Sequence, residues 1–297
     1  MKGVIIIVVN WNTGDYLARC LRSLARLPER SVISEVVVVD NASTDGSLAT
    51  AQAAMAPDDN KLPVRFIAQA YNVGFARANN TVLNELIDEG RPENVLLLNP
   101  DTEVRPQAIA NMLAALAHDR VGMVGPQLLN SDGTFQPSVR SFPTLPVFVF
   151  FFLKLHYLWP QAPWWRRYLC ADFDPARPQN VDQVMGAALL ARHEMIREIG
   201  ILDEGFWIWF EEVDWCKRAV AAGWNIVYTP AAQVLHRGGV SFNQVRGVRK
   251  TWLWSVSSIR YAQKHLGMVP MMVLVLLLPV TLAVSLPAVL VRLYRKQ

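Results

Sequence analysis

Two acidic centres and one histidine carry the chemistry this chain could perform. The first centre is Asp101, in the stretch NVLLLNPDTEV from Asn94 to Val104. A carboxylate held after such an apolar run can bind a hard divalent cation, and that cation can hold phosphates. The plainer alternative is that Asp101 only starts a turn, as Pro-Asp pairs commonly do. The second centre is DEGFWIWFEEVD, Asp203 to Asp214. Glu211, Glu212 and Asp214 open a helix there, and acids in a first turn are favoured by the helix dipole. Three carboxylates in four residues beside Trp207, Trp209 and Phe210 exceed that need. A carboxyl among aromatics has a raised pKa and can serve as general base. His236 is a candidate metal ligand through neutral imidazole, with a purely structural histidine as the alternative.

These residues need elements to position them. Val4–Val9 is a doubly buried strand, followed by a loop of Asn10, Trp11, Asn12, Thr13 and Gly14. Apolar residues at helical spacing from Tyr16 to Leu24 make the first helix. Val36–Val39 is a second strand, ending in Asp40 and the capping loop up to Ser47, before a helix to about Ala56. Val64–Ile67 is a third strand, and Asn72-Val73-Gly74-Phe75 leads into a helix from about Ala76 to Glu89. Val95–Leu98 is a fourth, which Pro100 ends because it has no N–H for the ladder. A helix over Gln107–His118 and a short strand over Val121–Val124 follow. This alternation predicts an α/β fold, a mostly parallel sheet with helices on both faces. Polar loops fall on one sheet edge, where open α/β sheets bind ligands. There is no GxGxxG after strand one and no GxxxxGK[ST], which disfavours dinucleotide and P-loop folds.

Further on, Val181–Arg192 reads as a strand returning to the core, His193–Ile199 as a helix, Asn225–Tyr228 as a strand and Thr251–His265 as an amphipathic helix. The segment Leu145–Trp165 is apolar and aromatic and is followed by Arg166 and Arg167. Such a segment suits a membrane interface, with a packed insertion or lid as the alternative. From Gly267 to Val291 no charge occurs, a length sufficient to cross a bilayer, although Pro270, Pro279 and Pro287 should kink it. The basic tail Arg292, Arg295 and Lys296 argues for a cytoplasmic end, yet a single crossing would put the two ends of the chain on opposite sides.

Composition narrows the class. The chain has 297 residues, 52% hydrophobic and 18% charged, with net charge +4. That mild charge fits an anionic ligand or membrane and does not point to nucleic acid. Cys20, Cys170 and Cys216 form neither a zinc pattern nor a disulfide set, which indicates a reducing, cytosolic compartment. Val4–Val9 is short and lacks a small-residue cleavage site, so no signal peptide is expected.

The motifs Val8–Asn12, Val37–Ser47, Asn72–Asn80, Leu96–Val104, Asp132–Thr144, Met185–Arg192, Leu202–Trp224 and His236–Ser241 occur in one order. Together they resemble an inverting family 2 glycosyltransferase of the GT-A fold, and more narrowly its rhamnosyltransferase-like branch. The resemblance implies that Asn10 or Trp11 and Asp40 grip the base and ribose of a nucleotide-sugar donor, with Asn12, Asn72, Gly74 and Arg77 nearby. It implies a divalent metal, Mg²⁺ or Mn²⁺, at an Asp-x-Asp motif whose first position is here Asn99, leaving Asp101 as main ligand and His236 as a further metal or diphosphate contact. Glu212, six residues before Arg218, takes the place of the catalytic base, with Glu211 and Asp214 orienting the acceptor. The implied partners are dTDP-rhamnose, a lipid-linked or polysaccharide acceptor, and the cytoplasmic face of a bacterial plasma membrane. The expected division is a transferase domain over 1–266 and a hydrophobic segment with basic tail over 267–297. Within the first, a nucleotide-binding half spans about 1–125 and an acceptor half about 126–266, the aromatic insertion lying at about 145–167. Other UDP- or GDP-sugar transferases, a nucleotidyltransferase and a non-catalytic membrane adaptor are the competing readings. A nucleotidyltransferase would want a Gly-rich basic loop after strand one, which Asn10–Gly14 does not supply.

Overall fold

The computed structural model describes residues 3–56, 62–240, 244, 245 and 247–294, with side chains as far as 285. Ser241 of the last motif and Arg295 and Lys296 of the tail lie outside the described residues. The strands are β1 Val4–Asn10, β2 Ile33–Asp40, β3 Val64–Ala68, β4 Asn94–Leu98, β5 Thr102–Val104, β6 Val121–Leu129, β7 Phe135–Gln136, β8 Val139–Arg140, β9 Gln179–Asn180, β10 Gln183–Val184, β11 Ala188–Ala191 and β12 Asn225–His236. The helices are α1 Tyr16–Ala25, α2 Ser47–Met55, α3 Phe75–Asp88, α4 Ala108–Leu116, α5 Leu145–Phe152, α6 Pro163–Tyr168, α7 His193–Ile199, α8 Glu211–Ala221, α9 Val248–His265 and α10 Met268–Tyr294.

The main sheet runs β3-β2-β1-β4-β11-β6-β12-β5. Strands β3, β2, β1 and β4 are mutually parallel, as are β6 and β12. β11 enters antiparallel between β4 and β6, and β5 lies antiparallel on β12. The continuous strand expected over Val181–Arg192 is thus two pieces. β10 pairs with β8 in a small second sheet, residues 185–187 cross over, and β11 completes the main sheet. The short strand expected at Val121–Val124 extends to Leu129 because β12 pairs with it along its whole length.

β1 shows why the sheet has helices on both faces. All seven of its residues are buried. Val4, Ile6 and Val8 pack with α1, α2 and α4, while Ile5, Ile7 and Val9 pack with α3, α7 and α8. Alternate side chains of a strand leave on opposite faces, so an unbroken apolar run serves two cores at once. Each fully buried Ile or Val contributes about 1.5–3 kcal/mol.

A third core lies beside the sheet. Phe148 and Phe152 of α5, Phe206, Phe210, Val213 of α8, Tyr261 and Ala262 of α9, and Leu274 of α10 pack together. The aromatic segment is in large part a packed insertion. Its inner rings join this core or pack around Trp165, while Tyr157, Leu158, Trp159 and Trp164 remain 77%, 70%, 61% and 50% exposed. The expected proline kinks do not break α10, which runs as one helix; Pro270 sits in its first turn, where no intrahelical donor is lost.

Candidate active site

The carboxyl ends of β1, β2 and β4 form one edge, and the loops there are tied by polar side chains. Asn10 is fully buried; its Nδ2 donates to Asp40 Oδ1 (2.7 Å), Ser43 Oγ (3.0 Å) and Ser47 Oγ (2.9 Å). The Ser43 amide donates to the other Asp40 oxygen, and the Thr44 amide to Asn12 Oδ1. Asn10, Asn12 and Asp40 therefore brace the loops, and the cavity wall itself is made by their neighbours Trp11 and Asn41. Asn41 links two loops: its Oδ1 accepts from the Val73 amide (2.9 Å) and its Nδ2 donates to the Gly74 carbonyl (3.2 Å).

Gly74 is required where it stands. Its φ is +87°, and a Cβ there would lie 2.7 Å from the Trp207 carbonyl oxygen. The Phe75 amide donates to that same oxygen at 3.1 Å. Close approach here draws the 207–209 turn over the donor loops. Asn72, which accepts from the Gly74 amide, joins the wall. Arg77 does not: it pairs with Glu204 at 2.9 Å on the outer side of α3.

Strand pairing brings the two acidic centres together. β11 beside β4 sets the Asn99 amide on the Ala187 carbonyl (2.8 Å), which places Gly186 at the mouth of the Asn99–Asp101 loop. Gly186 in turn faces Glu212, whose Cβ and Cγ would be 3.5 Å from any Cβ built on it. β12 beside β5 sets His236 opposite Thr102, and the Arg237 amide donates to the Asp101 carbonyl. Asn99, Asp101, His236, Glu211 and Glu212 consequently share one cavity of about 450 Å³ with Trp207 and Trp209.

In this cavity His236 Nε2 lies 3.5 Å from Asp101 Oδ1, and both residues are buried. The Gln136 side chain decides the tautomer. Its Nε2 donates to the His236 carbonyl (3.1 Å) and to Asn130 Oδ1, so its Oε1 must accept from His236 Nδ1–H at 2.7 Å. Nε2 is then the ring nitrogen that faces Asp101, the position from which an imidazole can ligate a metal. Among the described residues no group of three or more acidic, histidine or cysteine side chains converges. A cation held here takes one carboxylate and one imidazole from the protein, leaving positions for phosphate oxygens and water.

Glu211 and Glu212 line the same cavity. One oxygen of each is buried with no protein partner among the described residues. Burial, and then the charge of Glu212, pushes Glu211 well above the carboxylate range. Burial also raises Glu212, opposed by hydrogen bonds from the Val213 and Gly186 amides. Both carboxyls are thus held above the ordinary carboxylate range, and two such groups side by side do not both ionise cheaply. The turn bearing them is strained: Trp209 and Phe210 have φ of +62° and +70°. Such conformations cost about 1–3 kcal/mol each and persist where packing over-determines them. Here Phe210 lies between Phe148 and Tyr261, with ring centres 5.7 and 5.6 Å away, and Ser257 of α9 donates to the Ile208 carbonyl.

Asp214 points elsewhere. It is wholly buried and bound by Arg218 (2.9 Å), Lys264 (2.7 Å) and His265 (2.7 Å). Burial would raise its pKa, but hydrogen bonds from His265 and Lys264 and the Arg218 charge outweigh this and hold it low. The sequence grouped it with Glu211 and Glu212, but its carboxylate is taken up by Arg218, Lys264 and His265 while the glutamates line the cavity. The thiols of Cys20 and Cys216 are pushed up to about 12, chiefly by burial, and offer no thiolate nucleophile. The residues missed by sequence reading are Asn41 and Gln136; both stood inside recognised motifs, but only the folded contacts give them tasks.

The comparisons with known proteins fit this arrangement. Residues 5–200 match the family described as glycosyl transferase family 2. The chain belongs to that family. An N-acetylglucosaminyl-diphospho-decaprenol L-rhamnosyltransferase of Mycobacterium tuberculosis is 35% identical over 239 residues, 78% of this chain and 75% of that protein. The rhamnosyltransferase WbbL of Escherichia coli is 24% identical, over 78% of this chain and 83% of its own length. Among solved structures, the mannosyltransferase PcManGT of Pyrobaculum calidifontis, in complex with GDP-Man and Mn²⁺, superposes with a TM-score of 0.59 at 17% identity, covering 97% of this chain and 74% of that one. The family 2 chain is a glycosyltransferase with the GT-A fold of these neighbours.

Proposed function

We propose that this family 2 enzyme transfers rhamnose from dTDP-rhamnose to a lipid-linked or polysaccharide acceptor at the cytoplasmic face of the plasma membrane. The observation that carries the reading is the shared cavity, lined by Asp101 and His236 and also by Glu211 and Glu212. The sugar and the lipid-linked acceptor are supported by the name of the M. tuberculosis relative.

In this reading residues of about 1–125 hold the donor and those of about 126–266 the acceptor. Trp11 and Asn72 flank the nucleotide, Asn10 and Asp40 set the loop that meets its base, and Asn99 hydrogen-bonds its ribose. Asp101 and His236 are suited to hold Mg²⁺ or Mn²⁺, which when bound neutralises charge on the departing nucleoside diphosphate. Glu212 takes the proton of the acceptor hydroxyl. That oxygen bonds to the anomeric carbon as the bond to the diphosphate breaks on the opposite face, so configuration inverts in one displacement. Glu211, protonated, donates a hydrogen bond that orients the acceptor. Asp214 acts at a distance by clamping α8 to α9.

Two experiments test this. Purified protein offered dTDP-, UDP- and GDP-sugars is expected to release nucleoside diphosphate from dTDP-rhamnose with Mg²⁺ or Mn²⁺ and to stop in EDTA. Release from another donor alone would discard the rhamnosyl assignment, and release untouched by EDTA would discard the metal. Glu212→Gln is expected to keep donor binding and lose transfer by about 10²–10⁴-fold, the usual weight of a general base. Unchanged transfer would remove Glu212 from that role.

A further inference from the structure

The apolar helix α10 poses a problem of sides, since a single crossing would separate the basic tail from the catalytic part. We infer that α10 instead lies in the plane of a lipid bilayer, docked on its surface, with the catalytic cavity and the carboxyl-terminal tail on the same side. The chain reverses at Leu266 and Gly267, whose amides both donate to the Ala262 carbonyl, Gly267 having a φ of +97°. α10 then returns along the body, packing on α9 and α5. Its inner seam is Leu274, Leu277, Thr281 and Ser285, spaced three and four residues apart. Leu274 is fully buried in the core that holds Phe210, and Thr281 and Ser285 are still buried well past the reversal.

The opposite face is apolar and exposed: Val269 at 71%, Met272 at 55%, Leu276 at 75%, Val280 at 44% and Val284 at 46%. α10 is apolar on every side, but α9 and α5 already cover the side that carries Leu274, Thr281 and Ser285, so only the bare side is open to lipid. The stretch long and apolar enough to cross is Met268–Ser285, the same stretch that is packed on α9. Sinking it upright would draw α9 with it, including Arg260 and Lys264 in their pairs with Asp203 and Asp214.

A bilayer is the occupant the surroundings favour. Trp159 and Trp164 stand exposed beyond α5, which packs on α10, and Arg249 and Lys250 are exposed at the start of α9. Aromatic rings and cations beside an apolar stripe match the interface of an anionic membrane. The choice of lipid over a second copy of the chain also rests on the proposed lipid-linked acceptor. The geometry ties docking to chemistry, because Leu274 and the strained Phe210 share one core.

The test reads location, not turnover, so it fails separately from the assignment of sugar or base. Full-length protein is produced in bacteria and membranes are separated from soluble protein. Met272→Glu with Leu276→Glu is expected to move at least ten times more protein into the soluble fraction while donor hydrolysis persists. In a Cys170→Ser background, Glu89→Cys and Gln297→Cys are each expected to react with a membrane-impermeant maleimide in inverted vesicles and not in intact cells. Reaction of the two from opposite sides would overturn the inference in favour of a span. A wild-type protein that is soluble and dimeric, with the double variant monomeric, would overturn it in favour of a second copy.

Discussion

Glu211 and Glu212 are neighbours in sequence with the same side chain, yet the fold gives them different tasks. Glu211 is buried and Glu212 half-buried at the cavity wall, and only one can ionise cheaply beside the other. A folded-state pKa raised above the ordinary 4.5 contributes stability below that pH, and the contribution is lost as pH rises through the raised value. Glu211→Gln removes this loss. Its unfolding temperature should exceed that of the parent at pH 7.5 and match it near pH 4, as thermal melts at the two pH values will show. Equal shifts at both would mean that Glu211 is not held protonated. Gln136 makes a second residue-scale case. By accepting from His236 Nδ1–H it presents Nε2 to Asp101. Gln136→Leu should weaken Mn²⁺ binding by about 10–100-fold, the usual effect of removing a partner behind a ligand. Mn²⁺ titration followed by electron paramagnetic resonance measures it without turnover, and unaltered affinity would show that His236 needs no such guide.

Among elements, the α8–α9 contact matters most to the site. α8 carries the glutamates on one side and Asp214 on another, and α9 reaches Asp214 with Lys264 and His265. The same Lys264, with Arg260, holds Asp203 in the loop before α8, and these bonds keep that carboxylate low despite its burial. For groups lowered from an ordinary 3.8, the stability contributed is present above that value and is lost as pH falls through the lowered values. The protein should therefore lose unfolding midpoint as pH falls below about 4, and Asp203→Asn should show a smaller loss over that range. Denaturant melts from pH 6 to 3 measure this; identical slopes in parent and variant would exclude Asp203 from the lock.

At the scale of the molecule, two architectures meet at α8. The sheet and its two flanking cores bring Asp101 and His236 to the cavity through β-strand pairing. The aromatic third core, built on α5, α9 and α10, holds the strained turn that starts α8 and presents the glutamates. The residues proposed to hold the donor thus belong to the sheet, and the proposed base belongs to the layer that also carries the exposed apolar face. A transferase meeting a soluble nucleotide and a lipid-anchored acceptor would use such a division, and the proposed membrane docking follows from the same layer.

The doubly buried strands, the helices between them, the polar loops at one sheet edge and the two acidic centres could all be read from residue order alone. These are local facts: an unbroken run such as Val4–Val9 can only be buried on both faces, and Pro100 must end the strand before Asp101. Motif order carried the family, and with it Glu212 as the residue to follow. Only the tertiary structure decided what meets what. The antiparallel entry of β11 sets Gly186 between Asn99 and Glu212, and no periodicity encodes strand order. It sealed Asp214 in a cage of cations, turned Arg77 outward to Glu204, and gave Asn10 and Asp40 to each other. It also folded α10 back along α9, because hydropathy counts apolar residues without saying which of them are already covered.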